Sequence, residues 1–211
     1  MQLPRFYPIL DTEWAARRGC APELVAGALL EAGVKILQFR HKGHFSRGVF
    51  DRAEQVAGLC REAGSLFVID DRADIAMLLD AGLHLGQDDL MPGEARRLIG
   101  PKRLLGFSTH NEAQLRAALD QPADYLALGP IFATGSKQNP DPIVGVEELR
   151  RLRSVTARPL VAIGGISPEN AGLVLAAGAD SVAVIAGLYP EEATASAIRR
   201  RAEEWLAAVA R

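Results

Sequence analysis

The chain has 211 residues, 48% hydrophobic, 24% charged and 6% aromatic, with 20 glycines and 12 prolines, a composition that supports a packed core and excludes dominant disorder. At this length roughly 70% of the unfolded surface is buried on folding, so one core forms without disulfide or metal staples and a single domain is expected. Lys and Arg total 24 against 26 Asp and Glu, a net charge of −2; no global field draws the protein to nucleic acid or to an anionic membrane, and any anion site must be local.

Short apolar runs recur along the chain, separated by stretches with apolar residues at three- and four-residue spacing, the signature of alternating strands and helices. Met1 to Arg5 lead into the first run, Phe6 to Leu10, with no signal-peptide core, and no apolar run approaches the ~18 residues of a membrane span; a cytoplasmic protein is expected. That run ends at Asp11-Thr12-Glu13 without the Gly-rich turn of a doubly wound nucleotide-binding sheet. The next units pair helix Pro22 to Ala32 with strand Val34 to Arg40, helix Arg47 to Ala63 with strand Ser65 to Asp70, and helix Ala73 to Asp80 with strand Gly82 to Gly86. Helix Glu94 to Ile99 precedes strand Leu104 to Ser108, and helix Glu112 to Leu119 precedes strand Tyr125 to Gly129. Helix Val146 to Ser154, strand Leu160 to Gly164, helix Pro168 to Ala177, strand Ser181 to Ala186 and a helix from Pro190 to the end complete the pattern.

The strands are continuously apolar, as parallel strands covered on both faces must be. Ser167-Pro168 offers an N-cap serine before a first-turn proline, and Gly33, Gly64, Gly82 and Gly178 each follow a predicted helix. Eight such units with no linker predict a (β/α)8 TIM barrel, one domain spanning 1–211. Cys20 and Cys60 lack metal-ligand spacing; Cys60 sits in an amphipathic stretch and reads as a buried thiol, which suits a reducing compartment.

In a barrel of this type chemistry gathers where the strands end at their C-termini, so the polar residues there form the candidate site. Arg40 and Lys42 alternate along one strand end, and Lys137 follows a hydroxyl-rich loop; three cations on one rim suit a substrate with several phosphate oxygens, although any one of them alone reads more readily as solvated surface charge. Asp71 and Asp89 end neighbouring strands. Carboxylates facing a polyphosphate make sense around a hard divalent cation, and Mg2+ is the natural candidate because it is held by one or two carboxylates plus phosphates and water. The alternative for Asp70 or Asp71 is capping the following helix. At Gly164-Gly165 the backbone can be approached closely, and Ser167 opens a helix whose N-terminal amides favour an anion, so a monophosphate fits there. Two anion sites on one rim imply the joining of a pyrophosphate ester to a monophosphorylated molecule with loss of pyrophosphate. His84, within Leu83-His84-Leu85, reads as a packed strand histidine; His41 and His110 read as rim contacts, and Trp14 and Trp205 as packing or partial surface.

The motifs Gln38-x-Arg40-x-Lys42, Asp71-Arg72-x-Asp74, His84-Leu85-Gly86-Gln87-Asp88-Asp89, Gly106-x-Ser108-Thr109-His110, Gly129-Pro130-Ile131-Phe132-x-Thr134-x-Ser136-Lys137 and Ala162-Ile163-Gly164-Gly165-Ile166 together resemble the thiamin-phosphate synthase family, from the first strand to the last helix. The resemblance implies a (β/α)8 barrel that joins hydroxymethylpyrimidine pyrophosphate to thiazole phosphate, making thiamin phosphate and pyrophosphate with Mg2+. It implies Gln38, Arg40 and Lys42 on the pyrimidine substrate, Asp70 beside it, and Asp71 and Asp89 on Mg2+. Ser108, Lys137 and Arg40 are then the expected catalytic residues, Thr134 and Ser136 hold the thiazole phosphate, and Gly165, Ile185 and Ala186 complete its cradle. Small molecules are the expected partners, and a homo-oligomer is compatible with the sequence. Three departures stand out: Asp70-Asp71 replaces the usual Asn-Asp, Ser136 replaces a threonine, and Ala186 replaces a frequent serine. Two other readings stay open. One is the thiazole tautomerase branch of the same superfamily, which carries a histidine where Pro130 stands; the other is a non-catalytic sensor of thiamin intermediates. Ala133 to Pro142 reads as a lid.

Overall fold

The computed structural model describes residues 2–135 and 141–210. Eight parallel strands close into a barrel in chain order: β1 (Phe6–Asp11), β2 (Ile36–Arg40), β3 (Leu66–Asp70), β4 (Gly82–Leu85), β5 (Leu105–Thr109), β6 (Tyr125–Leu128), β7 (Leu160–Ile163) and β8 (Ser181–Val184). The helices are α1 (Thr12–Arg17), α2 (Pro22–Glu31), α3 (Arg47–Glu62), α4 (Ala73–Leu78), α5 (Pro92–Ile99), α6 (Glu112–Ala117), α7 (Val146–Arg153), α8 (Pro168–Ala176) and α9 (Ala195–Ala210). This is the predicted (β/α)8 barrel. Among the described residues, no helix is long and apolar enough to cross a membrane.

Two cores explain why the strands read as uninterrupted apolar runs. Alternate residues point outward, and Leu37, Phe39, Ile69, Leu83, Leu85, Leu105, Phe107, Leu126 and Leu128 pack under the helices. The intervening residues point inward, where Tyr7, Ile9, Ile36, Val68, Tyr125, Ala127, Val161 and Ala183 fill the barrel. Toward the C-terminal ends this inner face turns polar. Register pairs Gln38 with Ile9 and Val68, Asp70 with His84, and Ser108 with Ala127, so these side chains share the upper layers of the interior. Gly106 is required by the ring above it: a Cβ there would come within 2.0 Å of the Tyr125 ring.

Three local features differ from the prediction. Helix α1 was not foreseen; it forms because buried Asp11 caps it, accepting hydrogen bonds from the Glu13 and Trp14 amides. The last helix starts at Ala195 instead of Pro190, after a single 3-10 turn at Ala186–Leu188. Gly82 does not terminate α4. Asp80 takes the left-handed conformation there (φ 52°), a position a short polar side chain tolerates, and Gly82 is already the first residue of β4. The other glycines follow their helices as expected, with φ of 98° at Gly33, 60° at Gly64 and 109° at Gly178.

Helix α9 is bolted to β1. The fully buried Trp205 stacks on Phe6 (centroids 5.5 Å apart, planes 6° apart), and its indole N–H donates to the Gly187 carbonyl at 3.1 Å. Trp205→Ala is therefore expected to cost about 3–5 kcal/mol of stability, read as a lowered denaturant midpoint. Trp14 stacks on Tyr189, Cys20 and Cys60 are both free thiols, and Cys60 is buried as anticipated.

Candidate active site

The polar layer opens into a cavity of about 630 Å³ at the C-terminal mouth. Gln38, Arg40, Lys42, Asp70, Asp71, Asp89, Ser108, Thr134, Gly165, Ile185 and Ala186 all line it. Ser136 and Lys137 lie outside the described residues, as does the middle of the anticipated lid. A larger open cleft of about 1040 Å³ adjoins the mouth and shares Arg40 and Lys42, but its remaining walls come from the segments after β1 and β2.

One side of the mouth is a ladder of charges. Arg40 is clamped between the Asp11 carboxylate and Asp70, whose Oδ2 is 3.5 Å from its Nε. Lys42 Nζ lies 3.0 Å from Asp70 Oδ2 and 2.5 Å from Asp71 Oδ2. Asp70 thus meets Lys42 and Arg40, whereas Arg72 turns away to hold Asp74 at 2.5 Å. Neither Asp70 nor Asp71 caps α4, which has no side-chain cap at its start. Burial pushes the Asp70 carboxyl up to about 6 against the pull of Lys42, with the Asp71 charge adding to the rise. Burial also holds Asp89 above the usual carboxylate range, with Asp71 beside it; the Gly86 N–H, which donates to Asp89 Oδ2 at 2.7 Å, works the other way. Burial opposes the charge on Lys42, yet the two aspartates outweigh it and hold its ammonium above its ordinary value.

A divalent cation fits this arrangement. Asp71 adopts a left-handed backbone (φ 62°), and its Oδ1 is buried without a hydrogen-bond partner. Burying a carboxylate oxygen without a donor is costly, and a cation satisfies it. Among the described residues no group of three or more His, Cys, Asp or Glu side chains is arranged to hold a metal ion. A hard ion that keeps its waters and takes further oxygens from a substrate needs only one or two carboxylates from the protein.

The opposite side is bare backbone. Gly164 and Gly165 take φ of 99° and 64° in succession, and the N–H groups of Gly165 and Ile166 donate to no protein acceptor among the described residues. Helix α8 begins just beyond, where Asn170 Oδ1 accepts the Ser167 N–H at 2.8 Å. Ile185 and Ala186, which follow β8, line the same cavity, so this side is walled by backbone suited to an anion.

Sequence reasoning passed over His84. Its ring lines the cavity, with Nδ1 2.9 Å from the Tyr125 hydroxyl and Nε2 2.9 Å from Ser108 Oγ. Within Leu83-His84-Leu85 strand parity sets the histidine on the face opposite the two leucines, and its register with Asp70 shows that face to be the inward one. His41 and His110 do have partners: His41 Nδ1 is 2.7 Å from Thr12 Oγ1, and His110 Nδ1 donates to the Gly129 carbonyl at 2.6 Å.

A family model described as thiamine monophosphate synthase matches residues 6–188. The chain is 45% identical to the thiamine-phosphate synthase of Koribacter versatilis, over 98% of this chain and 96% of that protein. It is 43% identical to that of Moorella thermoacetica, over 93% of each. The solved structure of thiamine phosphate pyrophosphorylase from Pyrococcus furiosus superposes with a TM-score of 0.82 at 32% identity, covering 98% of this chain and 95% of that one. With this barrel, this mouth and likeness over nearly its whole length, the chain belongs to the thiamine monophosphate synthase family.

Proposed function

We propose that this barrel, one domain over 1–211, joins hydroxymethylpyrimidine pyrophosphate to thiazole phosphate, giving thiamin phosphate and pyrophosphate. The observation that carries the reading is the division of one mouth into a charge ladder, suited to a pyrophosphate and its counter-ion, and an array of uncommitted amides suited to a monophosphate. Asp71 and Asp89 would hold Mg2+, which when bound neutralises charge on the departing pyrophosphate. Arg40 and Lys42 add positive charge on the same side, and the family resemblance assigns Lys137 to the pyrophosphate as well. Gln38 and Ser108 orient the pyrimidine between them. The amides of Gly165, Ile185 and Ala186, with the Thr134 and Ser136 hydroxyls, fix the thiazole phosphate so that its ring nitrogen stands in line with the pyrimidine methylene. Pyrophosphate leaves first, the pyrimidine ring stabilises the resulting carbocation, and the thiazole nitrogen attacks. Only small-molecule partners are needed, homo-oligomers are compatible with the reading, and two free thiols suit work in the cytoplasm.

Asp70 has a balancing role here, holding Lys42 and Arg40 in place at the expense of stability. Its carboxyl titrates higher in the folded than in the unfolded chain, so the folded state binds more protons from about pH 4 to 6 and loses stability as pH rises through that window. Asp70→Asn should therefore stabilise the metal-free protein at pH 7 and flatten that pH dependence in denaturant titrations.

The reading is tested by pyrophosphate release with both substrates and Mg2+, with the product identified by mass. Release that requires both substrates supports it; equal release from the pyrimidine ester alone, or none with both, overturns it.

A further inference from the structure

Gln38 and Ser108 reach the cavity from opposite sides of the barrel, and an unbroken hydrogen-bond chain joins them beneath its floor. Gln38 Nε2 donates to the Tyr7 hydroxyl at 3.1 Å, Tyr7 and Tyr125 hydroxyls meet at 2.8 Å, Tyr125 reaches His84 Nδ1 at 2.9 Å, and His84 Nε2 reaches Ser108 Oγ at 2.9 Å. Both tyrosines are fully buried, so the hydrogens can go nowhere else.

The direction of every bond follows from the first. An amide nitrogen can only donate, so the Tyr7 oxygen accepts from Gln38 and its own hydrogen must go to Tyr125. Tyr125 then passes its hydrogen to His84 Nδ1, which must be the bare nitrogen. The ring proton is left on Nε2, where it is donated to Ser108 Oγ. With that oxygen already accepting, the Ser108 hydroxyl hydrogen is free for an acceptor in the cavity. A second ring proton would give Tyr125 two incoming donors and strand its own hydrogen in a buried place. Burial and the neighbouring hydroxyl keep Tyr125 protonated far above neutrality, and burial does the same for Tyr7, so neither link lacks a hydrogen to pass on.

We propose that Tyr7, Tyr125 and His84 are positioning residues that lock the His84 tautomer and thereby present Ser108 to the pyrimidine substrate as a hydrogen-bond donor. Rigid rings enforce the arrangement: Tyr125 packs edge-on to Tyr7 (centroids 6.0 Å apart) and stacks on His84 (5.6 Å), over the space Gly106 leaves open. The kinetic consequence rests on the thiamin-phosphate reading; the tautomer does not.

The chain has only four histidines, so multiple-bond proton–nitrogen correlation spectra of protein labelled with 15N-histidine resolve each ring, and His84→Gln assigns the His84 signal. The expected result is a neutral His84 with its proton on Nε2, and a mixture of tautomers in Tyr125→Phe. Turnover of Tyr125→Phe should fall ~10-fold, as for one misdirected hydrogen bond, with the KM for thiazole phosphate unchanged. Tyr7→Phe breaks the chain one link earlier and should act in the same direction should Tyr125→Phe not fold. A proton on Nδ1 in the unaltered protein would mean that the chain runs the other way, with the Ser108 hydroxyl donating to His84 Nε2 and only its oxygen left to accept from the substrate, and would overturn the proposal. So would unaltered tautomer and rate in a folded Tyr125→Phe. An unaltered protein that released no pyrophosphate, while still showing the Nε2 proton, would overturn the assigned reaction and leave the tautomer assignment standing.

Discussion

Asp89→Asn is expected to lower turnover ~10²–10³-fold with the fold intact, the scale on which removing one transition-state charge contact acts. The carboxylate faces Asp71 from the neighbouring strand end, and its Oδ2 also accepts the Gly86 N–H at 2.7 Å. An asparagine carbonyl can keep that loop bond while losing the charge, so the fall reports on charge and not on loop collapse. Asp71→Asn should match it, because asparagine tolerates the left-handed backbone at this position (φ 62°) as well as aspartate does. The measurement is the initial rate of pyrophosphate release against Mg2+ concentration, with circular dichroism to verify the fold. Unaltered protein that kept a near-normal rate in EDTA would remove the metal from the reading.

Side chains at Gly165 should damage the use of the monophosphate substrate. A Cβ there would sit 2.5 Å from the Ala133 carbonyl and 2.7 Å from Phe132 Cβ, on a residue with φ of 64°. Left-handed geometry alone costs ~1–2 kcal/mol for a residue with a Cβ. The contact also pushes on the segment from Pro130 to Ala133, which leads directly to Thr134. Gly165→Ala should therefore raise the apparent KM for thiazole phosphate ~10-fold or more, about 1.4 kcal/mol per decade, and lower kcat as Thr134 shifts. Gly165→Val should do more. Gly172→Ala in α8, where a Cβ meets nothing within 4 Å, is the neutral control. Steady-state kinetics in each substrate separates the outcomes; an equal rise in KM for the pyrimidine ester would argue against two distinct anion sites.

Most residues of the cavity are legible in the sequence because strand ends in a barrel converge, whatever the details of packing. His84 escaped notice because a histidine between two leucines looks like core, and only the pairing of β3 with β4 reveals that it shares the inward face with Asp70. Arg72 stands two residues from Asp70 in the sequence but does not pair with it: the side chain reaches forward to Asp74 and lies over the Phe45 ring. Helix α1 was hidden in six residues with little apolar periodicity, and its stability rests on the buried Asp11 cap.

By itself the sequence determined the eight repeating units, the parallel barrel and the kinds of group gathered at its mouth, since these follow from local periodicity and from continuous apolar runs that must be covered on both faces. Only the tertiary structure decided which charges neutralise which. Arg40 answers to Asp11 and Asp70, and Lys42 to Asp70 and Asp71, across 29 residues of chain in the pairs Arg40–Asp11 and Lys42–Asp71. Such pairings depend on strand register around the closed barrel, which no local pattern encodes. The same is true of the chain from Gln38 to Ser108, whose links span as many as 118 residues between Tyr7 and Tyr125 and exist only because closure of the barrel brings β1 and β6 face to face across its interior.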